Sequence, residues 1–369
     1  MARSNKCSPP SRIAQRLAEC RRRMVRHKLP AYLLTRRADT FYMTGFTGED
    51  SAVIVTPRAV DVVSDGRFDQ TIDREVPWAK KHLRKQMLPD EIGHLCRRLK
   101  LSRLAVQPDA MTLAMYGELR TRTRPTRLVK APPIVNRMRG CKDSSELRSL
   151  GKAIDVAQQA FAAVKKYVRV GRTEQELAAR LEYEMRKRGS SRPAFETICA
   201  IGPSAALPHA RPGRRRVKPG SVILFDWGAT VGFYRSDLTR CLFIGRIPPK
   251  IGAVYNIVLE AQEAAIEAIR PGERMCDVDA VARGIIADAG YKNEFVHGLG
   301  HGLGLDVHEP PALNWRSKER LAAGNVVTVE PGIYLPGIGG VRIEDDVLVT
   351  SHGHRVLSNL TKDLRKAVL

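Results

Sequence analysis

Short apolar runs alternate with amphipathic stretches along the chain, and they change character near residue 140. Before that point, Ala31–Thr35 reads as a strand, and Ser51–Thr56 and Ala59–Ser64 read as two strands joined at Pro57-Arg58. Asp90–Lys100 and Thr112–Arg120 have helical spacing around a strand at Arg103–Gln107. The pattern predicts an α/β domain over 13–138. It follows a disordered tail, 1–12, that carries Pro9 and Pro10. A break at Ala131–Cys141, with Pro132-Pro133 and Gly140, separates it from a second domain, 139–369.

The second domain opens on helical signals. Asp143 with Glu146, and Thr173 with Glu176, have the spacing of capping boxes. The first helix should bury Ala153, Ala157, Phe161 and Val164 on one face, and the second should stop before Gly189. Ala253–Ile269 and Asp277–Ala289 predict two more helices, ended by Pro271-Gly272 and Gly290. Ser221–Gly228, Leu238–Gly245, Asn325–Glu330 and Val341–Thr350 read as β. This is an α+β pattern.

Composition narrows the class. Hydrophobic residues are 43% and charged residues 27% of 369, the balance of a globular chain. No run approaches the ~20 apolar residues of a membrane helix. The net charge is +23, unevenly spread: residues 1–150 carry +16 and residues 251–350 carry −7. Such a surplus attracts polyanions, yet no zinc finger, RNP or helix-turn-helix pattern accompanies it, so nucleic-acid binding is not favoured. The seven cysteines are widely spaced with no C-x-x-C, which points to reduced thiols and a cytoplasmic protein.

The chemistry lies in the second domain. Asp226 ends an apolar β run, and a reversal near Gly228–Gly232 would set Asp237 on the adjacent strand. Two carboxylates brought together in apolar surroundings repel unless a cation or a shared proton lies between them. Alone, the pair also fits a turn aspartate and a strand-end aspartate. His297, His301 and His308 stand among four glycines, a density that suggests metal ligation or proton transfer. Glu330 ends another apolar β run, and Glu344 is embedded in Val341–Val349. Asp226, Asp237, His301, Glu330 and Glu344 would together make an oxygen-rich site for two divalent ions. Mn²⁺ is the preferred choice, with Co²⁺ or Zn²⁺ as alternatives. Four carboxylates would balance the two dications, and a hydroxide bridging the metals would be the nucleophile.

These residues carry a resemblance. Leu207-Pro-His209-Ala, Phe225-Asp226-Trp-Gly-Ala and Ser236-Asp237-Leu-Thr-Arg240 come first in chain order. His297 through Glu309, Val329-Glu330-Pro-Gly-Ile-Tyr334 and Gly340-Val-Arg342-Ile-Glu344-Asp345 follow. The sequence resembles the "pita-bread" metallopeptidases of family M24, in the Xaa-Pro aminopeptidase and Xaa-Pro dipeptidase (prolidase) branch. The resemblance implies a creatinase-type N-terminal α/β domain followed by a pita-bread α+β catalytic domain. It implies that Asp226, Asp237, His301, Glu330 and Glu344 are the metal ligands, with Asp237 and Glu344 bridging. His209 and His308 would contact the substrate or the tetrahedral intermediate. His297 would shuttle protons or help bind proline, and Arg342 would brace the ligand carboxylates. A homodimer and a peptide substrate with proline second are also implied.

Ala312 stands where many members with a short N-terminal domain have an arginine. A guanidinium there would suit the terminal carboxylate of a dipeptide. Its absence favours an Xaa-Pro aminopeptidase acting on longer peptides, with the dipeptidase as the alternative. Cys241 and Ser221 are further departures, read as changes around the ligands or in a turn. A non-catalytic peptide-binding module is the remaining reading. It is opposed by the complete ligand set, because four converging carboxylates without metal are costly.

Overall fold

The computed structural model describes residues 8–369. The chain divides into two compact units, Met1–Arg139 and Gly140–Leu369. Most of the expected tail lies outside the described residues, but Ser11 and Arg12 belong to α1 (Ser11–Arg26), which starts directly after Pro10. Proline lacks an N–H to contribute, so a helix tolerates it at this edge. Ile13, Leu17, Cys20 and Met24 recur at three- and four-residue intervals, and α1 buries all four.

The first unit is a six-stranded sheet, formed by β1 (Tyr32–Leu34), β2 (Ala52–Val55), β3 (Val60–Ser64), β4 (Lys80–Leu83), β5 (Arg103–Val106) and β6 (Arg127–Lys130). Their order is β4-β3-β2-β1-β5-β6. β1, β2 and β3 pair antiparallel, as the predicted hairpin requires, while β4, β5 and β6 join in parallel. Helices α2 (Arg37–Thr44) and α3 (Asp69–Glu75) come between these strands. So do α4 (Leu88–Arg98) and α5 (Leu113–Arg122). Ile92, Leu95 and Cys96 of α4 and Leu119 of α5 pack on Leu33, Ile54 and Leu104 of the sheet. The pattern did not reveal α2, α3, β4 or β6. β4 reads Lys-Lys-His-Leu with no buried position, so it has no hydrophobic alternation to detect. A further helix, α6 (Ile134–Gly140), closes the segment.

In the second unit both expected capping boxes are present, at Asp143/Glu146 and Thr173/Glu176. They open α7 (Ser144–Lys165) and α8 (Glu174–Lys187). The later helices are α9 (Pro249–Glu267) and α10 (Met275–Asp288). Two small antiparallel sheets come first. One contains β7 (Arg192–Pro193), β10 (Ala229–Val231) and β11 (Tyr234–Arg235), and the other β8 (Ile198–Ile201), β9 (Val222–Trp227) and β12 (Leu238–Phe243). Period-two alternation places the second of these between two helical layers. Val222, Leu224, Cys241 and Phe243 face α9 and α10. Ile223, Phe225, Trp227 and Leu242 face α7 and α8. Phe161 of α7 stacks on Trp227 with centroids 4.4 Å apart.

The five-stranded sheet runs β14-β13-β15-β18-β19. Its members are β13 (Gly300–Gly302), β14 (Glu309–Leu313), β15 (Val326–Val329), β18 (Asp345–Val349) and β19 (His354–Val356). β16 (Gly332–Leu335) and β17 (Gly339–Arg342) form a hairpin. The single β run expected over Val341–Thr350 is thus two strands, β17 and β18, interrupted at Ile343-Glu344. The break leaves Glu344 outside both ladders, where it bridges to Thr239 instead. No helix among the described residues is long and apolar enough to cross a membrane.

Candidate metal centre

Asp226 is the fifth residue of β9, on the face of Val222 and Leu224. In the β9–β12 ladder it lies opposite Thr239, which sets Asp237 one step before β12. The chain can turn back this tightly because a Cβ on Gly228 would lie 1.9 Å from the Ser236 carbonyl oxygen. Gly300 plays the same part beside His301, since a Cβ there would lie 2.0 Å from the Thr328 carbonyl oxygen. Glu330 follows β15, and Glu344 sits in the break between β17 and β18.

All nine residues singled out from the sequence line one cavity of about 730 Å³. Donor atoms of Asp237, His301 and Glu344 lie within 4.8 Å of one another. His301 Nε2 is 3.3 Å from Glu330 Oε1 and 3.7 Å from Asp237 Oδ2. Its Nδ1 lies 3.2 Å from the Gly302 carbonyl and donates to it, so Nε2 is the nitrogen turned to the carboxylates, hydrogen-bonded to Glu330 when the ring is protonated and open to a cation when it is not. Asp226 Oδ2 accepts from Arg342, while its Oδ1 is buried with no hydrogen-bond partner.

The electrostatics are those of a cation site. Burial, then the negative charges of Glu344 and Asp226, pushes Asp237 well above the ordinary carboxylate range. Burial, with Glu330 and Asp226, does the same to Glu344. Burial would also raise Glu330, but the hydrogen bond and charge of His301 outweigh it and hold the group at about 2. Carboxylates driven toward protonation by one another are relieved by divalent cations. The orphaned Asp226 oxygen and the mixed carboxylate–imidazole donor set fit such ions.

A surrounding layer of hydrogen bonds orients these donors. Thr239 Oγ1 donates to Glu344 Oε2 at 2.6 Å and accepts from Arg342 Nε at 3.2 Å. Thr328 Oγ1 donates to Glu330 at 3.1 Å and accepts the His301 N–H. Arg240 donates to the Glu344 carbonyl at 2.6 Å and to Asp345 at 2.6 Å. Buried Asp346 accepts the Asp237 N–H at 3.3 Å. Lys142 and Glu309, both buried, pair at 2.9 Å beside His308. Apart from Arg342, the sequence reading assigned none of these residues a role. Thr239, Arg240, Tyr334 and Asp345 fall within the quoted motifs, but nothing local distinguishes a hydroxyl that orients a carboxylate from one that does not.

The three other histidines differ in their freedom. His209 is exposed at the cavity wall. The His308 ring packs edge-on against His301 at 4.3 Å, and burial and the His301 charge lower its pKa. His297 has both ring nitrogens engaged, Nδ1 with the Gly298 carbonyl and Nε2 with the Tyr334 hydroxyl, each at 2.8 Å.

The model of metallopeptidase family M24 matches residues 148–351. The chain belongs to this family. Residues 16–141 match the creatinase/prolidase N-terminal domain, so the M24 catalytic domain is preceded by a creatinase-type one. An Xaa-Pro dipeptidase of Pyrococcus horikoshii is 40% identical over 351 residues, covering 92% of this chain and 96% of its own. Two solved M24-like structures are similar over nearly the whole chain. One is an Xaa-Pro dipeptidase from Bacillus anthracis, with TM-score 0.93 and 32% identity over 97% of this chain and 100% of that one. The other is an X-Pro aminopeptidase from Thermotoga maritima, with TM-score 0.87 and 34% identity over 94% and 100%. The fold is the pita-bread arrangement of M24 with mixed α/β sheets, as the resemblance implied.

Proposed function

We propose that this M24 enzyme is an Xaa-Pro dipeptidase, hydrolysing the bond between a residue and a C-terminal proline. The observation that carries the reading is the near full-length similarity to a relative named Xaa-Pro dipeptidase. It reverses the preference for an aminopeptidase drawn from Ala312. Ala312 lies beside the site, paired with His301 in the β13–β14 ladder, and offers no cation there. Two other arginines, Arg211 and Arg316, line the same cavity, so an alanine at 312 does not leave it without positive charge. The similarity to the Thermotoga X-Pro aminopeptidase keeps the second reading in play for longer peptides.

In this reading Asp226, Asp237, His301, Glu330 and Glu344 hold two divalent ions, with Mn²⁺ favoured by four carboxylates and a single imidazole. When bound, the ions supply Lewis acidity and acidify a water. The protein's own residues do the rest. Thr239 and Arg342 keep the carboxylates facing inward. His308 and His209 donate to oxygen charge developing on the scissile carbonyl and return a proton to the departing proline nitrogen. His297, whose nitrogens are both engaged, forms a wall for the substrate and relays no proton in this reading. A cytoplasmic homodimer completes the reading. The buried free thiols of Cys20, Cys96, Cys199 and Cys241 support a reducing compartment.

The test is product analysis by mass spectrometry with Mn²⁺, an Xaa-Pro dipeptide and an Xaa-Pro-led tetrapeptide, against a chelated control. Metal-dependent release of proline from the dipeptide, with the tetrapeptide spared, is expected. Cleavage of the tetrapeptide in preference to the dipeptide would restore the aminopeptidase.

A further inference from the structure

We infer that the buried Lys142–Glu309 ion pair is a positioning device that fixes His308 at the cavity wall. The inference deepens the proposed function, because it rests on the reading in which His308 meets the charge developing on the scissile carbonyl. His308 ends the connection 303–308 between β13 and β14. Its backbone is held from behind, by groups on the far side of the strand.

Exposure alternates along β14. Glu309, Pro311 and Leu313 are buried, whereas His308, Pro310 and Ala312 are exposed. His308 and Ala312 line the cavity. Neighbouring strand residues point to opposite faces, so the Glu309 side chain lies on the side away from the cavity. Both oxygens of its carboxylate are engaged there. Oε1 lies 2.9 Å from Lys142 Nζ, and Oε2 accepts the Asp306 N–H at 3.3 Å. The carboxylate thus draws the connection back onto the start of β14. Gly304 leaves the room for it: a Cβ there would lie 2.5 Å from Glu309 Oε1 and 3.2 Å from Lys142 Cε. The Gly304 carbonyl also accepts the Arg235 N–H at 2.9 Å.

Lys142 is anchored in turn. Its backbone N–H donates to the Gly324 carbonyl at 2.7 Å, and Cys141 bridges to Asn325, the residue before β15. Its Nζ lies 3.4 Å from the Gly140 carbonyl as well. The two side chains are 0% and 4% exposed. Taking two charges out of water costs about as much as their attraction returns, so an apolar pair of similar volume would hold the fold as well. What the charged pair adds is direction. A charge-assisted hydrogen bond fixes where Glu309 stands, and hence where the adjacent His308 ring is presented.

The test compares Lys142→Met, and Lys142→Met combined with Glu309→Met, each in the wild-type and the His308→Ala background. It measures kcat and KM for an Xaa-Pro dipeptide, bound metal, urea unfolding and the NMR signals of the His308 ring. Lys142→Met alone strands a buried carboxylate and should unfold more easily. The double replacement removes both charges and should unfold close to the wild-type midpoint. Both should lower kcat about tenfold to a hundredfold, with KM changed less than about threefold and bound metal unchanged. In the His308→Ala background neither should lower kcat further by more than about twofold, because residues that act as a unit are not additive. Glu309→Gln keeps an acceptor for Lys142 and should retain more of kcat than the double replacement. Recovery of kcat in the double replacement, or its failure to fold, would reduce the pair to a stability element and overturn the inference. An equal loss of kcat in both backgrounds, or loss of metal, would overturn it too. A His308→Ala enzyme with full activity would instead refute the role given to His308 in the proposed function. The ring signals then decide the inference by themselves: they should shift or broaden in the double replacement, and unchanged signals would overturn it.

Discussion

The Tyr334 hydroxyl lies 2.8 Å from His297 Nε2 and accepts a hydrogen bond from Arg342, also at 2.8 Å. Arginine can only donate, so the single hydroxyl hydrogen of Tyr334 is left to point at His297. Nε2 of His297 is therefore the acceptor and Nδ1 carries the hydrogen toward the Gly298 carbonyl. Burial lowers the pKa of His297 against the pull of Glu330, and burial raises that of Tyr334 to about 12. Both trends keep this arrangement neutral.

Tyr334→Phe should leave two buried polar groups short of a partner, an Arg342 N–H and His297 Nε2. The expected cost is about 1–3 kcal/mol in thermal or urea unfolding, with kcat reduced about tenfold or more. Because Tyr334 donates nothing to the metals, metal content should stay at the wild-type level. Loss of bound metal would mean that the hydroxyl supports the ligands as well as His297.

Asp237→Asn and His301→Ala should each abolish activity and lower the metal bound per chain, measured by elemental analysis after dialysis. Chelation of the wild type should lower its unfolding temperature. Ions at a hundredfold their Kd stabilise the folded state by about 3 kcal/mol. An unfolding temperature that does not move with chelator would speak against metal at this cluster.

The Asp279–Arg283 pair should behave as a joint for the cavity wall. Asp279 is fully buried and also accepts the Leu299 N–H, while Arg283 donates to the carbonyls of Phe295 and His297. Arg283→Met would leave the aspartate with one donor, a loss of about 2–3 kcal/mol in stability. Arg283→Lys should rescue little, since a single ammonium cannot replace a two-pronged contact. Full recovery with lysine would reduce the role to charge alone.

Burial raises the Cys20 thiol to about 12 and the Cys96 thiol to about 11, from an ordinary 9.0. A raised pKa means that the folded state keeps its proton longer than the unfolded one. The contribution is complete below pH 9 and is lost as pH climbs toward the folded values. Each thiol adds a slope of about 1.4 kcal/mol per pH unit in that window. Stability of Cys20→Ala should therefore fall less steeply than wild type between pH 9 and 11, measured by urea unfolding. In native labelling at neutral pH, exposed Cys141 should react well before Cys20, Cys96, Cys199 or Cys241. Early alkylation of Cys20 would contradict its burial.

Much of this protein is determined locally and could be read from the chain. Asp143 and Glu146 cap α7 because both partners lie within one turn, and Val222–Trp227 alternates between two helical layers because strand side chains do. The identities of the carboxylates and of His301 were visible because charged groups in apolar β sequence stand out. Other features depend on groups far apart in the chain. Thr239 finds Glu344 across 105 residues and Arg342 finds Asp226 across 116. Such contacts leave no period or spacing in the sequence. The split of one apolar run into β17 and β18 and the pairing of His297 with Tyr334 likewise depend on how distant segments meet. Hydrogen bonding and burial are settled only when distant segments pack. The sequence determined which donors exist and which elements carry them, and the tertiary structure decided which are spent on one another and which remain for a substrate.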